Sequence, residues 1–190
     1  MTGREKSYFH RGGDEPLLGA TIAEHFTEIV ERFPEHEAVV SLPQQKRLNY
    51  REFSESVDEL ARGLLATGFG KGDRIGVWST DNLEWLLLQM ATARIGAILV
   101  NINPAYGTHE LAYALQQTEI QGVFTIPAFR RSHYIDMLVE LIPELTQNNT
   151  ELKNPDFPCL RHIIVYDPAG PVNIAKPVPL SSVGLKLILT

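Results

Sequence analysis

The sequence predicts an α/β fold in which a mostly parallel sheet carries helices on both faces. Several short apolar runs show no alternation of apolar and polar residues, as expected for strands that are covered on both sides. Helix-start signatures and apolar residues at helical spacing lie between these runs. The alternation of strands and helices along the chain favours parallel strands joined by right-handed crossovers.

Four apolar runs are the predicted strands of this sheet. They comprise residues 75–78, 98–100, 122–126 and 162–166. We expect them to be neighbours, with the first run inside the sheet and not at a solvent-exposed edge. Residues 38–41 and 47–49 flank a polar turn and predict a separate small hairpin.

Three predicted helix starts share one capping signature, a short polar residue three positions before a glutamate. The pairs are Thr21 with Glu24, Asn49 with Glu52, and Asp81 with Glu84. Apolar residues at helical spacing follow each pair. The predicted core faces of the first two helices are Ile22, Phe26, Ile29, Val30 and Phe33, and then Phe53, Val57, Leu60, Ala61, Leu64 and Leu65.

The third predicted helix, residues 82–95, is apolar nearly all round, so we expect it to be buried. The second helix, residues 50–66, should pack with it on the sheet. Residues 108–118 and 130–141 predict two further helices.

The sequence predicts one domain with polar segments between its elements. An N-terminal arm is predicted at residues 1–20. Proline-rich residues 146–158 and 167–180 predict surface loops. Residues 185–189 are mostly apolar, and we expect them to promote self-association of the isolated chain.

Composition excludes several classes of protein. The 190 residues carry a formal net charge of −6, which provides no overall field to attract nucleic acid. Cys159 is the single cysteine, so no intrachain disulfide can form and an intracellular protein is expected. No apolar run approaches the length of roughly 20 residues that a membrane-spanning helix needs.

Two segments invite comparison with phosphate-binding loops. Gly68, Gly70 and Gly72 follow a predicted helix and precede a strand, the reverse of the order in a phosphate cradle, which favours a helix end and a tight turn. Residues 79–82 do follow a strand and precede a helix, where open α/β sheets bind ligands. They lack glycine, and Asp81 would repel phosphate, so helix capping is the favoured interpretation.

Residue chemistry assigns neither a catalytic residue nor a metal ligand in this chain, and it leaves cofactor-binding residues unknown. The six histidines show no metal-ligand spacing, and one cysteine cannot build a zinc site. No Gly-x-Ser-x-Gly elbow is present. Nothing near Cys159 in the sequence would lower the pKa of its thiol.

A series of motifs, in order and at matching spacing, carries a resemblance to a known family. The motifs are Leu48-Asn-Tyr-Arg-Glu-Phe53, Gly70-Lys-Gly-Asp-Arg-Ile-Gly-Val77, Asn82 with Glu84 and Trp85, and Ala93 through Asn103-Pro104 followed by Glu110-Leu111. Together they resemble the N-terminal segment of the adenylate-forming (AMP-binding) superfamily. Further similarity to the medium-chain acyl-CoA synthetase group includes Pro16-Leu-Leu18, Asn103-Pro-Ala-Tyr106 and Tyr134.

The resemblance implies a fold and a reaction. Such enzymes join a fatty acid to ATP with Mg²⁺, forming an acyl-adenylate, and then transfer the acyl group to coenzyme A. Their phosphate loop, of the form Thr-Ser-Gly-Thr-Thr-Gly, does not occur in residues 1–190. The resemblance therefore implies that residues 1–190 are an incomplete N-terminal part of a larger domain, and we expect a catalytically incomplete fragment that binds no cofactor by itself. We expect it in the cytoplasm or, with an unseen transit peptide, in mitochondria.

Two other functions stay open at this stage. The chain could belong to a ligase for another carboxylate, such as an aryl acid, because substrate selectivity in the superfamily lies mostly beyond this segment. It could also be a stand-alone, non-catalytic α/β interaction module, which the missing phosphate loop favours.

Overall fold

The computed structural model describes residues 12–13, 17–146 and 152–168. The helices of this part are α1 (Ile22–Arg32), α2 (Tyr50–Ala66), α3 (Leu83–Ile95), α4 (Thr108–Thr118) and α5 (Tyr134–Leu141). The strands are β1 (Glu37–Ser41), β2 (Lys46–Asn49), β3 (Arg74–Trp78), β4 (Ile98–Ile102), β5 (Gly122–Thr125), β6 (Ala128–Phe129), β7 (Ser132–His133) and β8 (His162–Val165). Within these residues, no helix combines the length and apolar character that crossing a membrane requires.

The main sheet has four parallel strands in the order β4–β3–β5–β8. This confirms that the four predicted runs are neighbours and that β3 is internal, flanked by β4 and β5. Because β3 pairs on both sides, Ile75, Val77 and Trp78 are buried. Since β4 and β5 lie on opposite sides of β3, right-handed crossovers place α3 and α4 on opposite faces of the sheet.

The first three helices are joined through one side chain, Arg94 of α3. Its Nε donates to Asp58 Oδ1 of α2 at 2.9 Å, and one terminal nitrogen donates to the Ala23 carbonyl of α1 at 3.2 Å. The guanidinium also lies 5.5 Å from the centre of the Phe26 ring. This cation therefore fixes the angle at which α1 and α2 meet α3.

Two of the three predicted helix caps are confirmed, and the third lies one residue further along. Thr21 and Asn49 form complete capping boxes with Glu24 and Glu52. The cap of α3 is Asn82, whose side chain accepts from Trp85 N, so the prediction of Asp81 was wrong. Glu84 is buried instead of reaching back to the cap.

Three predicted core positions are exposed: Ile22, Leu65 and Phe33, the last of which is the C-cap residue of α1. Ile22 is 69% exposed because it opens α1 a full turn before Phe26, which packs edge-on against Phe53. Leu65 is 54% exposed, since it follows Leu64 and consecutive helical residues point about 100° apart. Leu65 therefore lies outside the face of α2 that is buried.

The last predicted helix begins later than expected. Residues 128–133 form the small antiparallel hairpin of β6 and β7, with Arg130 at a φ of 55° in its turn, and α5 begins only at Tyr134. The Pro127 carbonyl accepts from Tyr134 N, which fixes where the helix can start. The apolar residues at helical spacing all lie from Tyr134 onwards, whereas residues 130–133 are Arg, Arg, Ser and His, so the predicted start was four residues too early.

The predicted loops are described in part. Pro143–Thr146 forms a single 3-10 turn, and residues 152–158 form neither helix nor strand. Of the second loop, residues 167–168 are described. The segment 185–189 and most of the N-terminal arm lie outside the described residues.

Candidate functional site

A cleft of about 380 Å³ opens where β3 and β4 end. Parallel pairing in register brings Trp78 and Ile102, the last residues of these strands, side by side. The carboxyl edge of a parallel sheet is where open α/β folds bind ligands. The cleft is lined by Ser79, Thr80, Asp81, Trp85, Asn101, Ile102, Asn103 and Pro104.

One wall is the turn from β3 into α3. Asn82 closes this turn, because its Oδ1 accepts from Trp85 N at 2.8 Å while its Nδ2 donates to Ser79 Oγ at 2.8 Å and to the Thr80 carbonyl at 2.9 Å. Asp81 is exposed at the rim. The favoured interpretation of residues 79–82 as a capping turn is confirmed, although the turn also faces a cleft.

Gln44, from the turn between β1 and β2, completes the cap of α3. Its Oε1 accepts from Leu83 N at 2.8 Å. Its Nε2 donates to Glu84 Oε2 at 2.8 Å and to the Pro168 carbonyl, just beyond β8, at 3.1 Å. The Gln44 side-chain amide therefore links the hairpin, the start of α3 and the segment that follows β8.

These contacts decide what the start of α3 can bind. A helix N-terminus attracts anions through free backbone N–H groups. Here Leu83 N and Trp85 N are already taken by side-chain oxygens of Gln44 and Asn82. With Asp81 adding negative charge at the rim, this wall does not suit a triphosphate.

Two buried tyrosines lie at the same edge of the sheet. The Tyr166 hydroxyl donates to Asn82 Oδ1 at 3.4 Å, and the Tyr134 hydroxyl donates to the Pro104 carbonyl at 2.6 Å. Burial raises the pKa of each phenol to about 12. Both hydroxyls therefore remain protonated hydrogen-bond donors at physiological pH.

The glycine-rich turn lies at the opposite end of the sheet. Gly68 and Gly72 have φ values of 90° and 88°, which glycine adopts without strain. Asp73 Oδ2 accepts from Gly70 N at 3.0 Å, and β3 begins at the next residue. The prediction of a helix end and tight turn is confirmed.

The remaining reactive side chains do not assemble into a catalytic group. Within residues 12–13, 17–146 and 152–168, no three His, Cys, Asp or Glu side chains are grouped so that they could hold a metal. Cys159 lines a separate hollow of about 170 Å³ between the end of α4 and residues 156–160. The cleft can orient a ligand through its amides, hydroxyls and the Trp85 indole.

Sequence reasoning missed Gln44, because three of its four partners lie 39 to 124 residues away, and the local one, Ser41, is an ordinary contact within a turn. Tyr134 lies within the helix predicted at residues 130–141, and the family resemblance also includes it, but the position of its hydroxyl was not foreseen. Its partner Pro104 is 30 residues away, and no local pattern marks that contact.

Comparison with known proteins identifies the family of this chain. The profile of the AMP-binding enzyme family matches residues 26–179. The chain belongs to the AMP-binding enzyme family. It is 39% identical over 166 residues to a mitochondrial medium-chain acyl-CoA ligase, ACSF2, of Danio rerio, covering 87% of this chain and 27% of that protein. The Mus musculus protein of the same name is 38% identical over 162 residues.

Solved structures agree on the fold. The N-terminal domain of FACL13 from Mycobacterium tuberculosis superposes with a TM-score of 0.61 at 20% identity, covering 77% of this chain and 34% of that one. The N-terminal subdomain of Klebsiella oxytoca NpsA, in complex with 3-hydroxyanthranilyl-AMSN, gives a TM-score of 0.53 at 25% identity over 55% of this chain and 26% of that one. This chain spans about a quarter of the length of the curated relatives that it matches.

Proposed function

We propose that this chain is the N-terminal part of an acyl-CoA synthetase, an acid–thiol ligase that forms AMP. The whole protein would activate a fatty acid with ATP and Mg²⁺ and pass the acyl group to coenzyme A. The observation that carries the proposal is the 39% identity to a medium-chain acyl-CoA ligase over 87% of the chain. The mitochondrial relatives support the mitochondrial alternative for its location.

Within that reaction, the described residues supply a scaffold and the wall of a cleft. The capped start of α3 and the Asp81 carboxyl group do not fit the phosphates of ATP, so no phosphate step is assigned to these residues. Preorganised donors around the reacting phosphates are what phosphoryl and adenylyl chemistry requires. We assign that role to other parts of the protein.

A ligase for an aryl acid is the second candidate. Its support is the fold likeness to NpsA, whose structure holds a 3-hydroxyanthranilyl ligand. The likeness to NpsA covers 55% of this chain at 25% sequence identity. The fatty-acid assignment rests on a relative that matches 87% of this chain at 39% sequence identity. The fatty-acid function is therefore the better supported of the two.

The test of the proposal uses the polypeptide that the source organism produces. An affinity tag encoded in frame at the chromosomal locus would allow the natural polypeptide to be purified, whatever its length. We expect it to form acyl-CoA from medium-chain fatty acids, measured by mass spectrometry of the products with ATP and coenzyme A present. Omission of ATP is the matched control. Preference for hydroxybenzoates or anthranilates would favour the second candidate, and a folded protein that forms no acyl-CoA would refute both.

A further inference from the structure

Two aromatic rings lie stacked beneath the loop that follows β4. Trp78 ends β3 and Tyr134 begins α5, and their ring centres are 3.8 Å apart with planes inclined by only 9°. Both side chains are fully buried. The pair therefore joins the central strand to a helix that lies far from it along the sequence.

Each ring donates one hydrogen bond to the same loop, residues 103–107. Trp78 Nε1 donates to the Asn103 carbonyl at 3.1 Å, and the Tyr134 hydroxyl donates to the adjacent Pro104 carbonyl at 2.6 Å. The loop is also closed on itself, since Tyr106 N donates to the Asn103 carbonyl at 3.1 Å. Two consecutive carbonyls of one loop are thus held by two stacked donors.

This arrangement opposes any movement of the loop. If the loop moved away from the rings, the indole N–H and the phenol O–H would be left buried without acceptors, and an unsatisfied buried donor is costly. Because the two rings are stacked, neither ring can move with the loop without losing its contact with the other ring. Asn103 and Pro104 also line the cleft, so holding the loop sets the shape of one of its walls.

We propose that Trp78 and Tyr134 are paired positioning residues that hold residues 103–107 as a fixed wall, so that the cleft is formed before any ligand enters. Neither residue takes part in bond making in this proposal. The inference concerns the shape of the cleft and does not depend on which carboxylic acid the protein uses.

The test compares Tyr134→Phe with Tyr166→Phe in the natural polypeptide purified as above. The first substitution removes the hydroxyl that holds the loop and keeps the stacked ring. The second removes another buried hydroxyl at the same edge of the sheet, one that contacts Asn82 instead. Amide hydrogen exchange is followed at Tyr106 in the loop and at residues of β3 and β5.

We expect Tyr134→Phe to speed exchange at Tyr106 by about three- to tenfold, as loss of one hydrogen bond implies, with β3 and β5 amides unchanged. Acrylamide should also quench Trp85, which lines the cleft, more strongly. Tyr166→Phe should leave Tyr106 exchange unchanged. Trp78→Phe, which removes the other donor, should act in the same direction as Tyr134→Phe.

Three results would overturn the proposal. One is unchanged exchange at Tyr106 in Tyr134→Phe. Another is equal acceleration at Tyr106 and in the strands, because that would report a global loss of stability and not a local role. The third is failure of the Tyr134→Phe chain to fold, since the hydroxyl would then be required by more than the loop.

Discussion

Replacing Gly122 with alanine is expected to lower the free energy of unfolding by about 3 kcal/mol, the upper part of the range for overpacked cores. A Cβ atom at this position would lie 2.4 Å from Phe69 Cζ. Phe69 is buried, and its ring packs edge-on against His162 at 5.2 Å between ring centres, so it has little room to retreat. Urea unfolding followed by circular dichroism measures the change.

Gly76→Ala is the matched control, in the neighbouring strand β3. The new Cβ would lie 2.9 Å from Ile120 Cδ1 and 3.1 Å from Ile102 Cδ1, both ends of flexible side chains. We expect a smaller loss than at Gly122. Phe69→Leu combined with Gly122→Ala should recover part of the loss, giving a favourable coupling energy. Equal losses at both glycines, or no coupling, would refute the steric explanation.

Gln44→Glu is expected to lower the free energy of unfolding by about 2 to 4 kcal/mol, because breaking buried polar contacts leaves unpaired groups behind. The substitution replaces the donor to Glu84 Oε2 with a second carboxyl group and removes the donor to the Pro168 carbonyl. Glu84 is only 5% exposed, so solvent screens the new repulsion weakly. Thermal unfolding at neutral pH measures the effect.

Gln45→Glu adds the same charge one residue along, at an exposed position of the same turn, and should change stability little. Combining Gln44→Glu with Glu84→Gln exchanges donor and acceptor between these two residues and should restore part of the lost stability, since the Pro168 carbonyl still lacks its donor. A Gln44→Glu protein as stable as Gln45→Glu would show that the hairpin does not bind the start of α3 in solution.

The strands of the main sheet were predictable because each one is marked by the residues of its own segment. Residues 75–78 and 122–126 are apolar without alternation, which is the pattern expected of strands that are covered on both faces of the sheet. The capping boxes at Thr21 and Asn49 were predictable for the same reason, since capper and glutamate are three residues apart. Helix α4 was predicted at residues 108–118, the bounds that the structure shows.

The walls of the cleft were less predictable, because they depend on contacts between distant elements. Gln44 reaches Glu84 across 40 residues, and Tyr134 reaches Pro104 across 30. The shift of the α3 cap from Asp81 to Asn82 has a local origin instead. Both residues are good cappers in isolation, and the choice depends on the hydrogen bonds that Ser79 and Thr80 offer to the Asn82 amide.

The measurement that most directly tests the central claim grafts this chain into a relative. The claim is that residues of this chain provide the N-terminal scaffold of an acyl-CoA synthetase and leave phosphate chemistry to the rest of the enzyme. The 166 matched residues of the Danio rerio ligase would be replaced by those of this chain, and pyrophosphate exchange into ATP would be measured with a medium-chain fatty acid. We predict exchange by the chimera and none by the 190-residue chain alone; a folded chimera without exchange, or exchange by the isolated chain, would contradict the claim.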